Sequence, residues 1–227
     1  MKVHLVDGTY ELYRQHYGQA VRHSEPPPLA ATIGVLSSTL QLIADGATHI
    51  GVATDHVIES FRNDLYDGYK TSEGKEPEIL EQIPVVADAL EALGVPVWRM
   101  RKYEADDGLA AAAAIAAADT RVVQVQILSP DKDLGQCVHG NRVVQYDRRK
   151  DEVIDEAFAW EAIADAPDER LWEVKRQLRE DLLRVAEGEV VQKDHVLLRV
   201  EERLGRLAHD ERRGQHLLLL QTQMRMH

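Results

Sequence analysis

Four short apolar runs constrain this chain more than any other feature. Val3–Val6, His49–Thr54, Val95–Met100 and Val122–Leu128 are too short for helices, and the last is rich in valine. Stretches with apolar residues at helical spacing lie between them. Leu29–Ala44 carries Ile33, Leu36, Leu40 and Ile43 and stops at Gly46. Ile79–Leu93 stops at Gly94, and Ala105–Ala118 is mostly alanine. A further run, Arg142–Tyr146, reads as a fifth strand or a hairpin arm. Short strands alternating with helices predict an α/β fold, with a mainly parallel central sheet and helices on both faces.

Each of the four runs ends in, or leads directly to, carboxylates. Asp7 follows the first and Asp55 the second; Glu104, Asp106 and Asp107 follow the third, and Asp131 and Asp133 the fourth. In a parallel sheet the residues just beyond the strands' carboxyl ends meet along one edge, where open α/β sheets place their ligands. The sequence therefore predicts seven carboxylates around one crevice. Clustered carboxylates need countercharge, and hard divalent cations such as Mg2+ or Mn2+ supply it through oxygen ligands. Two such ions about 3.5–4 Å apart serve in-line displacement at phosphorus. Each acid taken singly also reads as a helix cap or turn residue. Four such placements in one register favour the shared site.

Composition narrows the classes further. The chain has 227 residues, enough for a sizeable core without disulfides. A single cysteine, Cys137, excludes a disulfide framework and a multi-thiolate zinc site. It reads as a small core residue. No amino-terminal secretory signal and no apolar run of membrane-spanning length is read, so the expectation is a cytoplasmic protein with no membrane partner. The net charge of −12 lies wholly in residues 1–167, with 15 Lys+Arg against 27 Asp+Glu, while residues 168–227 carry 12 of each. Alanine falls from 23 to 2 across the same point. We therefore expect a catalytic domain over 1–167 and a helical C-terminal segment over 168–227.

Two local motifs admit competing chemistry. Asp7-Gly8-Thr9 invites an aspartyl-phosphate mechanism, but the nucleophile position two residues before Asp7 is Leu5. The stretch Phe61-Arg62-Asn63-Asp64-Leu65-Tyr66-Asp67-Gly68-Tyr69-Lys70 puts cations and aromatics near Asp55, as in a surface that grips phosphates and stacks on bases. The same spacing also suits an ordinary amphipathic helix.

The chain resembles the 5′-nuclease family, which spans bacterial 5′–3′ exonucleases, the amino-terminal domain of DNA polymerase I and flap endonucleases. The resemblance is carried by Leu5-Val6-Asp7-Gly8, by Ala53-Thr54-Asp55 with Ser60-Phe61-Arg62, and by Tyr66 through Tyr69-Lys70. Tyr103-Glu104-Ala105-Asp106-Asp107 and Ser129-Pro130-Asp131-Lys132-Asp133-Leu134 complete it. The resemblance implies a PIN-like three-layer α/β/α sandwich and phosphodiester hydrolysis in DNA with 5′ ends or flaps, with two Mg2+ or Mn2+ ions and no small-molecule cofactor. It also implies that Asp7, Asp55, Glu104, Asp106 and Asp107 hold one ion, directly or through water, and that Asp131 and Asp133 contribute to the second. Lys70 would reach the scissile phosphate, Tyr69 would lie near the terminal base, and Arg62 would support the backbone contact.

Two departures from the family pattern stand out. Thr71-Ser72-Glu73 follows Tyr69-Lys70 where an arginine is common, and the family's glycine-rich helix–three-turn–helix module is not recognisable after residue 167. Asp165-Ala166-Pro167-Asp168 has the spacing of the family's additional acidic pair, but no glycine-rich turn follows. The tail thus reads as divergent or truncated. That leaves two alternatives beside the nuclease: a catalytically impaired, nuclease-derived DNA-binding protein, or a PIN-type ribonuclease.

Overall fold

The computed structural model describes residues 1–22, 26–64 and 69–156. The expected helical segment 168–227, the boundary near residue 167 and Tyr66 lie outside these described residues.

The chain opens with β1 (Lys2–Asp7) and turns at once into α1 (Gly8–Arg22). α2 (Ala30–Ala44) leads to β2 (Ile50–Asp55), and a 3-10 turn occupies Phe61–Asp64. α3 (Pro77–Leu80), α4 (Gln82–Ala92) and β3 (Val97–Met100) follow. α5 (Ala105–Ala118) and β4 (Gln124–Leu128) precede a second 3-10 helix, Lys132–Cys137. β5 (Val143–Asp147) and β6 (Glu152–Ile154) close the described domain.

The strands form one sheet in the order β3-β2-β1-β4-β5-β6. Every pairing is parallel except β5–β6, which is antiparallel. Alternate side chains of β1 explain the layers. Val3 and Leu5 join Ile127, Val125 and the alanine face of α5 in one core. Val6 joins Leu12, Val35, Ile83, Val86 and Leu90 from α1, α2 and α4 in the other. Burial on both faces is why the strands read as apolar runs rather than as an apolar–polar alternation. Alanine lets α5 pack close to the sheet, with Ala110, Ala111, Ala112, Ala113 and Ala116 all buried.

The architecture is the expected α/β/α sandwich, with local differences from the sequence reading. The helix expected over Ile79–Leu93 is broken at Glu81. Pro84 explains the break, because it has no N–H to give to the carbonyl of Leu80, where α3 ends. Arg142–Tyr146 proves to be both strand and hairpin arm, since β5 pairs with β4 on one side and β6 on the other. The Phe61–Lys70 stretch contains a short 3-10 turn among its described residues rather than an α-helix. Cys137 is buried in the α5-side core, as expected. Among the described residues no helix is long and apolar enough to cross a membrane.

Candidate metal centre

The carboxyl edge of the sheet gathers the predicted acids. Asp7 ends β1, where its Oδ1 accepts the Tyr10 N–H at 2.9 Å and so caps the first turn of α1. Only glycine fits at the following position: a Cβ on Gly8 would lie 2.7 Å from side-chain carbons of Val52 and Thr54. Asp7 Oδ2 accepts the Ser129 hydroxyl at 3.0 Å, tying the end of β1 to the loop after β4. Asp55 ends β2. Its backbone N–H donates to Thr9 Oγ1 at 2.7 Å, and its Oδ1 accepts the Ala105 N–H at 2.6 Å.

Glu104 and Asp107 form a capping box at the start of α5. The cap reading of these acids therefore holds, but it is not their whole role. Arg62, 9% exposed, places Nη1 3.0 Å from Glu104 Oε1 and Nη2 2.7 Å from Asp107 Oδ1. Ser60 Oγ adds a bond to Glu104 Oε1 at 2.7 Å. Lys70 Nζ lies 2.8 Å from Asp55 Oδ2 and 3.6 Å from Glu104 Oε2. Burial works against the charges of Lys70 and Arg62, yet both are raised above their ordinary values. For Lys70 the carboxylates of Asp55 and Glu104 outweigh burial; for Arg62 those of Asp107 and Glu104 do. Burial pushes Glu104 upward, but the Ser60 hydroxyl, Lys70 and Arg62 bring it below its usual value.

The other half of the cluster is charged differently. Asp106, Asp131 and Asp133 each offer an oxygen within 4.8 Å of the others. Burial, and then the negative charges of Asp7, Asp131, Asp55 and Asp107, hold Asp106 well above its usual range. Asp7 is pushed up to about 6, by burial first and by Asp55 and Asp131, against the Tyr10 and Ser129 hydrogen bonds. Asp131 also caps the following 3-10 helix by accepting the Asp133 N–H at 2.9 Å. Gln145, buried on β5, donates from Nε2 to the carbonyls of Ser129 and Asp131 at 3.0 and 2.6 Å and fixes that loop. An all-oxygen, negatively charged donor set of this kind fits a hard divalent cation.

A small cleft opens beside Asp106, Asp107 and Asp133, with Arg62, Tyr69 and Leu134 among its lining. Tyr69 is half-buried there, and burial followed by the charge of Glu104 pushes its hydroxyl up to about 12. The predicted residues Asp7, Asp55, Arg62, Tyr69, Lys70, Glu104, Asp106, Asp107, Asp131 and Asp133 are thus brought to one edge, although Arg62 faces the acids rather than solvent. Sequence reasoning missed the supporting contacts of Ser60 and Gln145. For Gln145 the available signal was a lone amide inside an otherwise apolar strand.

Comparison with known proteins identifies the family and the fold. Residues 2–163 match the family model described as 5′-3′ exonuclease, N-terminal resolvase-like domain. The chain is 33% identical over 161 residues to DNA polymerase I of Rhizobium leguminosarum, covering 66% of this chain and 16% of that protein. It is 32% identical over 145 residues to a 5′-3′ exonuclease of Aquifex aeolicus, covering 63% of this chain and 50% of that protein. The chain therefore spans half or less of the length of these two relatives. A crystal structure of the bacteriophage T5 flap endonuclease, in a pseudo-enzyme–product complex with DNA and metal ions, has a TM-score of 0.51 at 16% identity. That match covers 84% of this chain and 89% of the phage protein, and it supports the fold. With the family model matching most of its length, the chain belongs to the 5′-3′ exonuclease family through its N-terminal, resolvase-like domain.

Proposed function

We propose that residues 1–167 form a metal-dependent nuclease domain that hydrolyses phosphodiester bonds in DNA, as a 5′–3′ exonuclease and flap endonuclease on DNA with 5′ ends or flaps. The observation that carries this reading is the convergence of Asp106, Asp131 and Asp133, with oxygens within 4.8 Å of one another, in a domain of this family. In this reading Asp7, Asp55 and Asp106 hold one Mg2+ or Mn2+, with Glu104 and Asp107, already bonded to Arg62, acting through water. Asp131 and Asp133 contribute to the second ion. Ions held by these residues would supply a lowered pKa for an attacking water and countercharge for the phosphate oxygens.

The chain's own side chains orient the substrate. Lys70 stands at the rim on Asp55, where a phosphate entering the site competes for its ammonium. Tyr69, in the cleft, presents a neutral ring for stacking on the terminal base. Arg62 keeps Glu104 and Asp107 paired and fixed, supporting the phosphate contact indirectly. A DNA substrate goes with a cytoplasmic location.

The test is cleavage of a 5′-labelled flapped duplex with Mg2+ or Mn2+. We expect product that disappears with EDTA and with Asp106→Asn. A pure, folded protein that leaves the flap intact with both metals overturns the reading.

A further inference from the structure

Residues 59–64 lead away from the sheet edge carrying Arg62, and residues 69–72 lie back against it carrying Tyr69 and Lys70. The outgoing arm is fixed by the body of the domain. Ser60 and Arg62 bond to Glu104 and Asp107, and the Phe61 N–H donates to the Lys102 carbonyl at 2.9 Å. The Phe61 and Tyr103 rings also meet edge-on, with centroids 5.5 Å apart. The returning arm is held by side chains that cross from the outgoing one. Glu59 Oε1 accepts both the Ser72 N–H at 2.8 Å and the Ser72 hydroxyl at 2.6 Å. Asn63 Oδ1 accepts the Ser60 N–H at 3.0 Å, while its Nδ2 donates to the Lys70 carbonyl. The chain is caught again at Lys75, whose ammonium lies 5.6 Å from the Tyr13 ring centroid, and at Glu76, 2.8 Å from His16.

We propose that Glu59 and Asn63 are positioning residues: they carry the fixed geometry of the outgoing arm across to the returning one and thereby set the Lys70 ammonium against Asp55. The proposal rests on the reading of Lys70 as the phosphate contact. Its physical basis is economy of motion. Lysine has a flexible four-carbon stem with many rotamers, so its ammonium is placed only if its backbone is placed first. Asn63 holds the Lys70 carbonyl, and Glu59 holds the backbone two residues beyond it. The Glu59 bonds have an ionised acceptor and are the stronger kind. The Ser72 hydroxyl and N–H keep that carboxyl below its usual range.

The test needs neither metal nor DNA. Trypsin cuts after Lys70 only if the side chain leaves Asp55 and enters the protease pocket, so the rate of that cut reports the clasp. Full-length wild type, Glu59→Ala, Glu59→Gln and Asn63→Ala are digested briefly, and the fragment ending at Lys70 is followed by mass. We expect it to appear about tenfold faster in Glu59→Ala, the scale of one lost charge-assisted hydrogen bond, and about threefold faster in Asn63→Ala, which loses neutral ones. Glu59→Gln, which still offers Oε1 to Ser72 but without the charge, falls between wild type and Glu59→Ala. Cutting after Arg142, whose guanidinium is bonded to the Ala117 and Asp119 carbonyls away from the clasp, is the reference. If it accelerates equally, Glu59→Ala has unfolded and Asn63→Ala decides.

A second readout separates positioning from bulk stability. In flap cleavage Glu59→Ala lowers kcat about tenfold on the wild-type background and adds nothing to Lys70→Ala, because coupled residues are non-additive. Unchanged cutting after Lys70, or a full additive loss on Lys70→Ala, overturns the proposal. A wild type that cleaves no DNA overturns the nuclease reading instead, and the trypsin result still decides the clasp.

Discussion

Replacing Asp7 by asparagine tests the electrostatics of the centre in the absence of metal. Asp7 is 5% exposed, and its carboxyl is pushed from an ordinary 3.8 up to about 6. A folded-state carboxyl that binds its proton more tightly than the unfolded chain does favours the fold fully below about pH 4. That contribution fades as pH rises, and above about pH 6 it is gone. The gap corresponds to about 3 kcal/mol at neutral pH and above. Asparagine has the same shape, keeps an oxygen for the Tyr10 N–H, and can give its amide to the Ser129 hydroxyl, which rotates to accept. We therefore expect Asp7→Asn in EDTA at pH 8 to be more stable than wild type by about 2–3 kcal/mol, or roughly 5–10 °C in Tm. At pH 4 the two proteins should unfold together. Excess Mg2+ at pH 8 should stabilise the wild type more than the variant, since only binding to the folded state shifts the equilibrium. Paired urea titrations across pH measure the difference. A variant less stable than wild type at pH 8, or a gap that does not change with pH, refutes the argument.

Three further outcomes follow from the same contacts. Arg62→Ala leaves Glu104 and Asp107 without their guanidinium and should cost about 3–5 kcal/mol in urea unfolding; Arg62→Lys recovers only part, because one ammonium cannot reproduce the fork. Gln145→Leu frees the Ser129 and Asp131 carbonyls and should weaken Mn2+ binding about 10–100-fold by calorimetry, with an unchanged far-UV spectrum. Gly8→Ala drives a Cβ into Val52 and Thr54 and should destabilise the domain by about 1–3 kcal/mol, read from the denaturant midpoint.

The sheet was legible because its strands are buried on both faces, so each appears as a short apolar run with a carboxylate just past its end. The acids were legible for the same reason: once the strands are parallel, position along the chain fixes position on the edge. Other parts follow from relations a linear reading does not reveal. β6 is only three residues long and exists as a partner for β5. The split between α3 and α4 turns on one missing N–H at Pro84. Arg62 has its partners 42 and 45 residues along the chain, at the N-cap and in the first turn of α5, a pairing its local sequence does not show. Gln145 reaches 14 and 16 residues back into the loop after β4. The chemistry of the site was therefore visible in its ligands, while the scaffolding that holds them depends on tertiary neighbours.

The placement of β1 between β2 and β4 has a consequence for folding kinetics. Among the described strands, four of the five pairings join strands consecutive in the chain, whereas β1 pairs with β4 across 122 residues, the separation of Lys2 and Gln124 and also of Asp7 and Ser129, joined by one hydrogen bond. Such pairings form late, because long loops must close before any contact rewards them. The centre at the sheet edge is accordingly assembled last, from the ends of strands that fold in from distant parts of the chain. A nascent or nicked polypeptide holds these acids apart and has no such centre. Its appearance therefore marks completion of the whole sheet, so the domain gains its concentrated negative charge only when enough structure exists to bear the repulsion.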